Sequence, residues 1–155
     1  MNLTKIISGG QTGADFGGLE AGKILGIETG GTAPKGYKTE RGTNMILLSG
    51  FNLRESNSSD YKQRTKQNIQ DSDGTVIFGD SNSAGSALTL NLCKLLNKPW
   101  CLIPLDMESK EIDDFLTWIG IWNIQVLNVA GNRESVKPGI QYRVQAFLYK
   151  ALKES

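Results

Sequence analysis

Short apolar runs alternate with amphipathic helical patterns along most of this sequence. Residues 5–8, 75–79, 100–105 and 124–130 are β-branched or apolar runs that end at Gly, Pro or Asp, as buried strands do. Strands that alternate with helices predict an α/β fold, a three-layer sandwich in which helices flank a mostly parallel sheet. Between the runs, apolar residues recur at helical spacing on three faces: Leu88, Leu92, Leu95 and Leu96; Ile112, Phe115, Leu116 and Ile119; and Ile140, Val144, Phe147, Leu148 and Leu152.

The ends of two helices are marked in the sequence. Pro138 and Gly139 mark the start of the last helix, and Asn97 with Pro99 marks the end of the Leu-rich one. The stretch from residue 28 to residue 72 is polar and lacks clear periodicity. We therefore predict long loops there around a strand or two, with residues 45–48 as one such strand.

Length and charge bound the class of protein. A chain of 155 residues with 39% hydrophobic content buries one good core, so residues 1–155 are expected to form a single domain. With 17 basic and 16 acidic residues, the net charge of +1 offers no general attraction for nucleic acid or for an anionic membrane. The expected partner is a small molecule.

Neither a targeting segment nor a metal centre is evident. The sequence has no apolar run long enough to span a bilayer and no signal-peptide pattern, so a cytoplasmic location is expected. It contains no histidine, and Cys93 and Cys101 fit no metal-ligand spacing. We expect reduced core cysteines and no zinc or haem.

Three predicted strand ends are followed by small and polar residues. In open parallel sheets, ligands bind beyond the carboxyl ends of the strands, where helix N-termini present free N–H groups. The segments 8–13, 79–86 and 130–135 are therefore predicted to line one rim, and the second of them contributes Ser83, Gly85 and Ser86 as candidate binding residues.

Several glycines and one polar pair have competing interpretations. Gly17, Gly18 and Gly22 lie inside the first helical pattern, where close packing explains them better than a ligand does. Residues 17–24 approximate a phosphate-binding P-loop but carry Ile where Ser or Thr is required, which argues against an ordinary P-loop ATPase. Thr12 and Asp15 have the spacing of a capping box, and a ligand role for Asp15 is equally open.

Gly10 and Gly13 have a different interpretation. Because small or polar residues surround them where N–H groups would point outward, we favour an interpretation in which these glycines clear space for a ligand. The structure is able to test that interpretation.

One basic residue is singled out by its position. Most surface Lys and Arg only solvate a face, and Lys35, Lys38, Arg41 and Arg64 carry no stronger signal individually. Arg133 instead occupies a strand-to-helix loop beside Gly131 and Asn132, where its planar fork of donors can grip a phosphate or another oxyanion.

Four motifs in order carry a family resemblance over nearly the whole chain. The sequence contains "SGGQTGAD", "GGTAPKGYKTERG", "YKQRTKQNIQDSDGTVIF" and "NVAGNRES", and in these it resembles the molybdenum cofactor carrier proteins, a circularly permuted branch of the SLOG nucleotide-binding superfamily. The resemblance implies a Rossmann-like fold, a homo-oligomer that is commonly a tetramer, and a phosphate-bearing ligand such as the molybdenum cofactor (molybdopterin).

The resemblance also implies site residues, motif by motif. Phe16 departs from the pattern, because relatives often carry an arginine directly after the aspartate. This departure puts the affinity and the identity of the ligand in doubt. The first motif, an expected phosphate or oxyanion loop, contributes Gly9, Gly10, Gln11, Thr12, Gly13 and Asp15; the second contributes Lys35, Gly36, Arg41 and Gly42; the third contributes Arg64, Thr65 and Asn68; and the last contributes Gly131, Arg133 and Glu134.

Three functions are compatible with these motifs. The first is binding, protection and transfer or storage of the molybdenum cofactor or of a molybdate-type oxyanion, without catalysis. The second is a phosphoribohydrolase-like enzyme that releases a base from a nucleotide. The third is a sensor of a nucleotide or an ADP-ribose derivative, whose binding loops would look the same. For the enzyme, the acidic partner would be Glu20, Glu40, Glu55 or Glu134, none of which stands at a signature spacing.

Overall fold

A computed structural model describes residues 2–104, 106 and 108–153 of the chain. Its centre is a five-stranded sheet in which every neighbouring pair is parallel, in the order β2-β1-β9-β7-β8. These strands are β1 (Lys5–Ile7), β2 (Glu28–Gly30), β7 (Gly74–Phe78), β8 (Trp100–Ile103) and β9 (Val126–Gly131). The shorter strands are β3 (Thr32–Ala33), β4 (Lys38–Thr39), β5 (Gly42–Thr43) and β6 (Arg54–Glu55), and the helices are α1 (Ala14–Leu25), α2 (Ile46–Ser49), α3 (Tyr61–Asp71), α4 (Ala84–Leu95), α5 (Ser109–Trp122) and α6 (Ile140–Leu152).

Helices cover both faces of the central sheet, so the predicted three-layer sandwich is confirmed. On one face, Val76 and Phe78 of β7 pack in a single core with side chains of α1, α5 and α6. On the other face lie α3 and α4, which share a smaller core around Ile69, Leu92 and Cys93. Successive strand residues point to opposite faces, which lets one strand serve both layers.

The four strands predicted outside residues 28–72 and the two helix ends are confirmed. All four strands are present; the third ends at Ile103, and Leu105, at the end of the predicted run, lies outside the described residues. Helix α6 begins directly after Gly139, and α4 ends two residues before Asn97. No helix in the described part of the chain is both long enough and apolar enough to cross a membrane. Cys93 and Cys101 are free thiols, and burial raises the pKa of Cys101 to about 11.

The prediction for residues 28–72 is wrong in two respects. Residues 45–48 form no strand but lie at the short helix α2, where only Leu47 is buried while its neighbours Ile46 and Leu48 are exposed. The polar stretch also contains the helix α3, whose buried residues are Thr65, Asn68 and Ile69. With one apolar residue on its inner face, α3 shows no hydrophobic period in the sequence.

Hydrogen bonds, in addition to apolar packing, hold α3 beside the strand β3. Asn68 accepts a hydrogen bond from the Thr32 N–H (2.8 Å) and donates one to the Thr32 carbonyl (2.9 Å). A buried amide that satisfies both backbone groups of one residue replaces a missing strand neighbour. This places the first turn of α3 beside the carboxyl ends of the central strands.

The glycines of α1 are packing residues, as predicted. A Cβ at Gly17 would lie 2.4 Å from the Gln141 carbonyl oxygen, and one at Gly18 would lie 2.7 Å from the Val129 side chain. At Gly22 the obstacle is the Thr29 methyl group, at 2.8 Å. These approaches let α1 lie close to both β9 and α6.

We expect opposite effects from two alanine substitutions in helices. Gly18→Ala forces a methyl group against Val129 and should lower the free energy of unfolding by about 1–3 kcal/mol. Gly120→Ala fills open space in the exposed last turn of α5 and should raise it by about 0.5–1 kcal/mol through helix propensity. Urea unfolding of both variants measures the difference, and equal changes would contradict the packing role of Gly18.

Candidate functional site

The loops after β1, β9 and β7 meet at one edge of the sheet and enclose a cavity of about 220 Å³. These three strands are neighbours, so their carboxyl ends lie side by side and the predicted common rim exists. We call this space the central cavity. Eight predicted site residues line it: Gln11, Asp15, Arg64, Thr65, Ser83, Gly85, Gly131 and Arg133.

A buried ion pair lies in the wall of the central cavity. Arg64 reaches in from α3, and its Nη1 lies 3.4 Å from Oδ2 of Asp15 in the first turn of α1. Burial raises the pKa of the Asp15 carboxyl, and the Arg64 guanidinium opposes part of that rise. Burial likewise lowers the pKa of Arg64, against the effect of Asp15. The Arg64 Nε is buried and has no hydrogen-bond partner among the described residues, so the guanidinium retains donor capacity.

Two guanidinium groups lie near one aromatic ring at the same place. The Arg133 guanidinium carbon lies 4.8 Å from the centre of the Tyr61 ring, and that of Arg64 lies 5.5 Å from it. The electron-rich face of a ring attracts cations, so Tyr61 helps to hold two like charges close together. The result is a concentration of positive charge in a protein that is nearly neutral overall.

The N-terminus of α4 opens into the central cavity without a side-chain cap. Ser83 is the N-cap residue, but its side chain makes no capping hydrogen bond. The Ser83 carbonyl accepts the first hydrogen bond of the helix, from the Ala87 N–H (2.8 Å). Ser83, Ala84 and Gly85 line the cavity, and a Cβ at Gly85 would meet open space. The first N–H groups of a helix lack intrahelical partners and attract anions.

Asn132 bonds the Ser83 hydroxyl and the loop after β7. Its Nδ2 donates to the Ser83 hydroxyl (2.8 Å) and to the Asp80 carbonyl (3.0 Å), while its Oδ1 accepts from the Asp80 N–H (2.7 Å). Ser86, also buried, accepts a longer bond from the same Nδ2 at 3.4 Å. One amide thus ties the loop after β9 to the loop after β7.

The other two helix N-termini of the rim are already satisfied within the protein. At α1, the Ala14 N–H donates to the Asn132 carbonyl (3.1 Å), and Gly13 is the N-cap without a side-chain bond. At α6, the Glu134 carboxylate accepts hydrogen bonds from the N–H groups of Gly139 and Gln141. Glu134 therefore caps α6 and does not line the central cavity. Of the three helices at the rim, α4 is the one whose N-terminus is available to a ligand.

The interpretation that Gly10 and Gly13 clear space for a ligand is wrong. A Cβ at Gly10 would meet the side chains of Leu47 and Leu53 within 2.9 Å, and one at Gly13 would lie 2.3 Å from the Asn132 carbonyl oxygen. Both residues have positive φ (72° and 84°), which favours glycine. The space beside each is occupied by protein. At Gly9 the neighbour is the Arg64 guanidinium, whose position a Cβ would take.

The proposed capping box at the start of α1 does not form. The Asp15 carboxylate accepts from the Gln11 N–H (3.2 Å), but the Thr12 hydroxyl turns outward and donates to Glu40. Glu40 also accepts from the Ser135 hydroxyl, and these two hydroxyl bonds, Ser135 first, lower its pKa. Glu40 thereby connects the β4–β5 hairpin to the loop after β9.

A second cavity of about 250 Å³ adjoins the hairpin of β4 and β5. We call it the hairpin cavity. Gln11, Thr12, Phe16, Arg41 and Asn44 are among its lining residues. Two further predicted residues, Lys35 and Gly36, lie in the 3-10 turn at Lys35–Tyr37, are exposed, and line neither cavity.

Two important residues of the central cavity were absent from the predicted set. Tyr61 opens the motif that supplies Arg64, and Asn132 directly precedes Arg133. Each was within a recognised motif, but its role depends on contacts with distant segments. Among the described residues, no three His, Cys, Asp or Glu side chains are grouped so that they could hold a metal ion.

A larger open groove of about 610 Å³ runs along α5 and α6. Its charged lining residues have both signs, Lys110 and Arg143 beside Asp106 and Glu108. This mixture of charges contrasts with the central cavity, where two guanidinium groups lie near one ring. We therefore take the central cavity as the candidate functional site.

Comparison with known proteins gives a consistent result. Residues 6–152 match the family model of the circularly permutated YpsA SLOG family. The chain is also similar to a crystal structure described as a putative molybdenum carrier protein from Syntrophus aciditrophicus SB, with 40% identity and a TM-score of 0.87 over 97% of this chain and 96% of that one. No curated protein matches the sequence. Because the family model spans nearly the whole chain, this protein belongs to the circularly permuted YpsA SLOG family.

Proposed function

We propose that this protein binds, protects and then transfers or stores the molybdenum cofactor or a molybdate-type oxyanion, without catalysing a reaction. The name of the Syntrophus relative supports molybdenum as part of the ligand. Molybdate is an oxyanion and the cofactor bears a phosphate, so both require a site rich in hydrogen-bond donors and positive charge.

The observation that carries the proposal is the convergence of three donor groups on the central cavity. These are the Arg64 guanidinium, the Arg133 guanidinium and the N–H groups of Ala84 and Gly85 at the uncapped start of α4. Among the described lining residues, Asp15 is the one carboxylate, and Arg64 neutralises part of its charge. The unpartnered Arg64 Nε fits the group, because a buried donor gains most from an anionic acceptor.

The positions of the acidic residues favour a carrier over a phosphoribohydrolase. None of the four candidate acids lines the central cavity. Glu134 caps α6, Glu40 bridges Thr12 and Ser135, and Glu20 accepts from the Gln141 amide (2.9 Å). Glu55 accepts from the Gly36 N–H (2.6 Å). A general acid or base must reach the reacting group, and these carboxylates are engaged elsewhere.

Substitution of Arg133 tests the anion site directly. A charge-assisted hydrogen bond contributes about 1.5–3 kcal/mol, so Arg133→Ala should weaken binding of molybdate and of the free cofactor about ten- to hundredfold. Arg133→Lys should restore only part of the loss, since lysine keeps the charge without the planar fork. Isothermal titration measures both. Arg143→Ala, on the exposed face of α6, is the matched control and should bind like the wild type.

The same titration separates a carrier from a nucleotide module. We expect molybdate or tungstate to compete for the site and AMP to bind weakly or not at all. Tight binding of AMP, with no binding of molybdate or of the free cofactor, would favour the nucleotide sensor or the hydrolase instead.

Neutralisation of Asp15 should strengthen anion binding. Asp15→Asn removes a negative charge beside Arg64. We expect the binding free energy of sulfate, a tetrahedral probe, to improve by about 1.4 kcal/mol, which is roughly tenfold tighter binding. In the wild type, sulfate affinity should also rise as the pH falls through the raised pKa of Asp15, because protonation removes the same charge. Titration calorimetry at several pH values should show a flat profile for the variant. Weaker binding by Asp15→Asn would show that Asp15 mainly holds Arg64 in place.

We also propose that the chain forms a homo-oligomer, with a tetramer favoured by the family resemblance. Trp100 and Leu102 of the edge strand β8 are 39% and 42% exposed on the same strand face, and Leu95 of α4 is exposed too. Trp122 is exposed as well, whereas Trp118 packs against the main core and adds nothing to this surface. Exposed apolar patches of this kind mark interfaces.

Light scattering tests the assembly. The wild type should have a mass above that of one chain, and Leu102→Lys should shift it toward the monomer, because a charge would be buried in the interface. A monomer mass at every wild-type concentration would contradict the proposal.

A further inference from the structure

The Gln11 side chain lies between the central cavity and the hairpin cavity. It lines both, and the residue is only 2% exposed. The two spaces are similar in size, about 220 and 250 Å³. A ligand that fills both cavities would therefore have to contact Gln11.

The hydrogen bonds of Gln11 determine which end of its amide is the oxygen. Nε2 donates to the Lys38 carbonyl (3.0 Å) and lies 3.5 Å from the Gly9 carbonyl. Both partners are acceptors, so the nitrogen must face them and Oε1 must face away. Oε1 is shielded from solvent and has no hydrogen-bond partner in the described structure.

An unpartnered acceptor is unusual beside a cavity otherwise rich in donors. Arg64, Arg133 and the start of α4 all donate, and an anion satisfies each of them. A bare oxyanion has only acceptor atoms to offer, so it leaves Oε1 unsatisfied. A ligand satisfies this oxygen only if it also carries an N–H or O–H donor.

The hairpin cavity has the lining expected for the part of a ligand that bears such a donor. It combines the Phe16 ring, packed edge-on against Phe51 at 5.2 Å, with polar groups of Thr39, Arg41 and Asn44. Sites for planar heterocycles usually pair apolar or aromatic surface with a few polar groups that set orientation. The nearby Arg41 guanidinium supplies additional donors.

We propose that Gln11 selects a two-part ligand, whose anionic group occupies the central cavity and whose N–H-bearing planar heterocycle occupies the hairpin cavity. Oε1 accepts a hydrogen bond from the heterocycle, while Nε2 keeps its bond to the Lys38 carbonyl. The inference rests on the proposed function, since it assumes that the central cavity binds the anion.

Two probes distinguish recognition of the heterocycle from recognition of the anion. One is molybdate, and the other is a pterin that carries a phosphomonoester side chain. Gln11→Leu should weaken binding of the pterin phosphate about tenfold and change molybdate affinity less than twofold. Gln125→Leu, at an exposed glutamine just before β9, is the matched control and should change neither. Isothermal titration gives the affinities, and thermal unfolding confirms that each variant is folded.

A second variant covers the case in which Gln11→Leu does not fold. Arg41→Ala removes an exposed side chain from the hairpin cavity alone and should also weaken only the pterin phosphate. Equal loss of both probes in either variant, or wild-type binding of molybdate without the pterin phosphate, would overturn the inference and leave the proposed function intact. If the wild type binds neither probe, both proposals fail together.

Discussion

The site depends on the side-chain amide of Asn132. By bonding both backbone groups of Asp80 and the Ser83 hydroxyl, this amide joins two loops that approach from neighbouring strands. It bonds the hydroxyl of the residue at the N-cap of α4, whose side chain does not cap the helix. The same contacts therefore organise the backbone beside an open helix N-terminus. Gly79 must be glycine for a related reason, because a Cβ there would lie 2.2 Å from the Asn132 Oδ1.

The charges of the central cavity are balanced against one another rather than simply accumulated. Asp15 holds Arg64 against the Gly9 backbone, and Tyr61 holds Arg64 and Arg133 near a common point. A buried cation without a partner would be costly, whereas a fully neutralised one would bind anions weakly. The arrangement lies between these limits, as the proposed capture and release of a ligand would require.

The architecture could be predicted from the sequence because short apolar runs, typical of strands, alternate with apolar residues at helical spacing. The sequence was insufficient for α3, where Ile69 is the single buried apolar residue and Asn68 anchors the helix through polar bonds. The motifs identified Arg64, Arg133 and Gln11. They did not show that Glu134 caps α6 or that Leu47 and Leu53 fill the space beside Gly10, because both facts depend on segments distant in the chain.

The pairing of two guanidinium groups on Tyr61 in a chain of net charge +1 also bears on how fast a ligand is captured. Long-range steering requires a field that extends beyond the Debye length, about 8 Å in physiological salt. Here the field is confined to one recess and is partly cancelled by Asp15. Association should therefore proceed by unassisted diffusional encounter, with a rate that depends little on ionic strength. Directed delivery would then have to come from contact between protein surfaces, not from attraction at a distance.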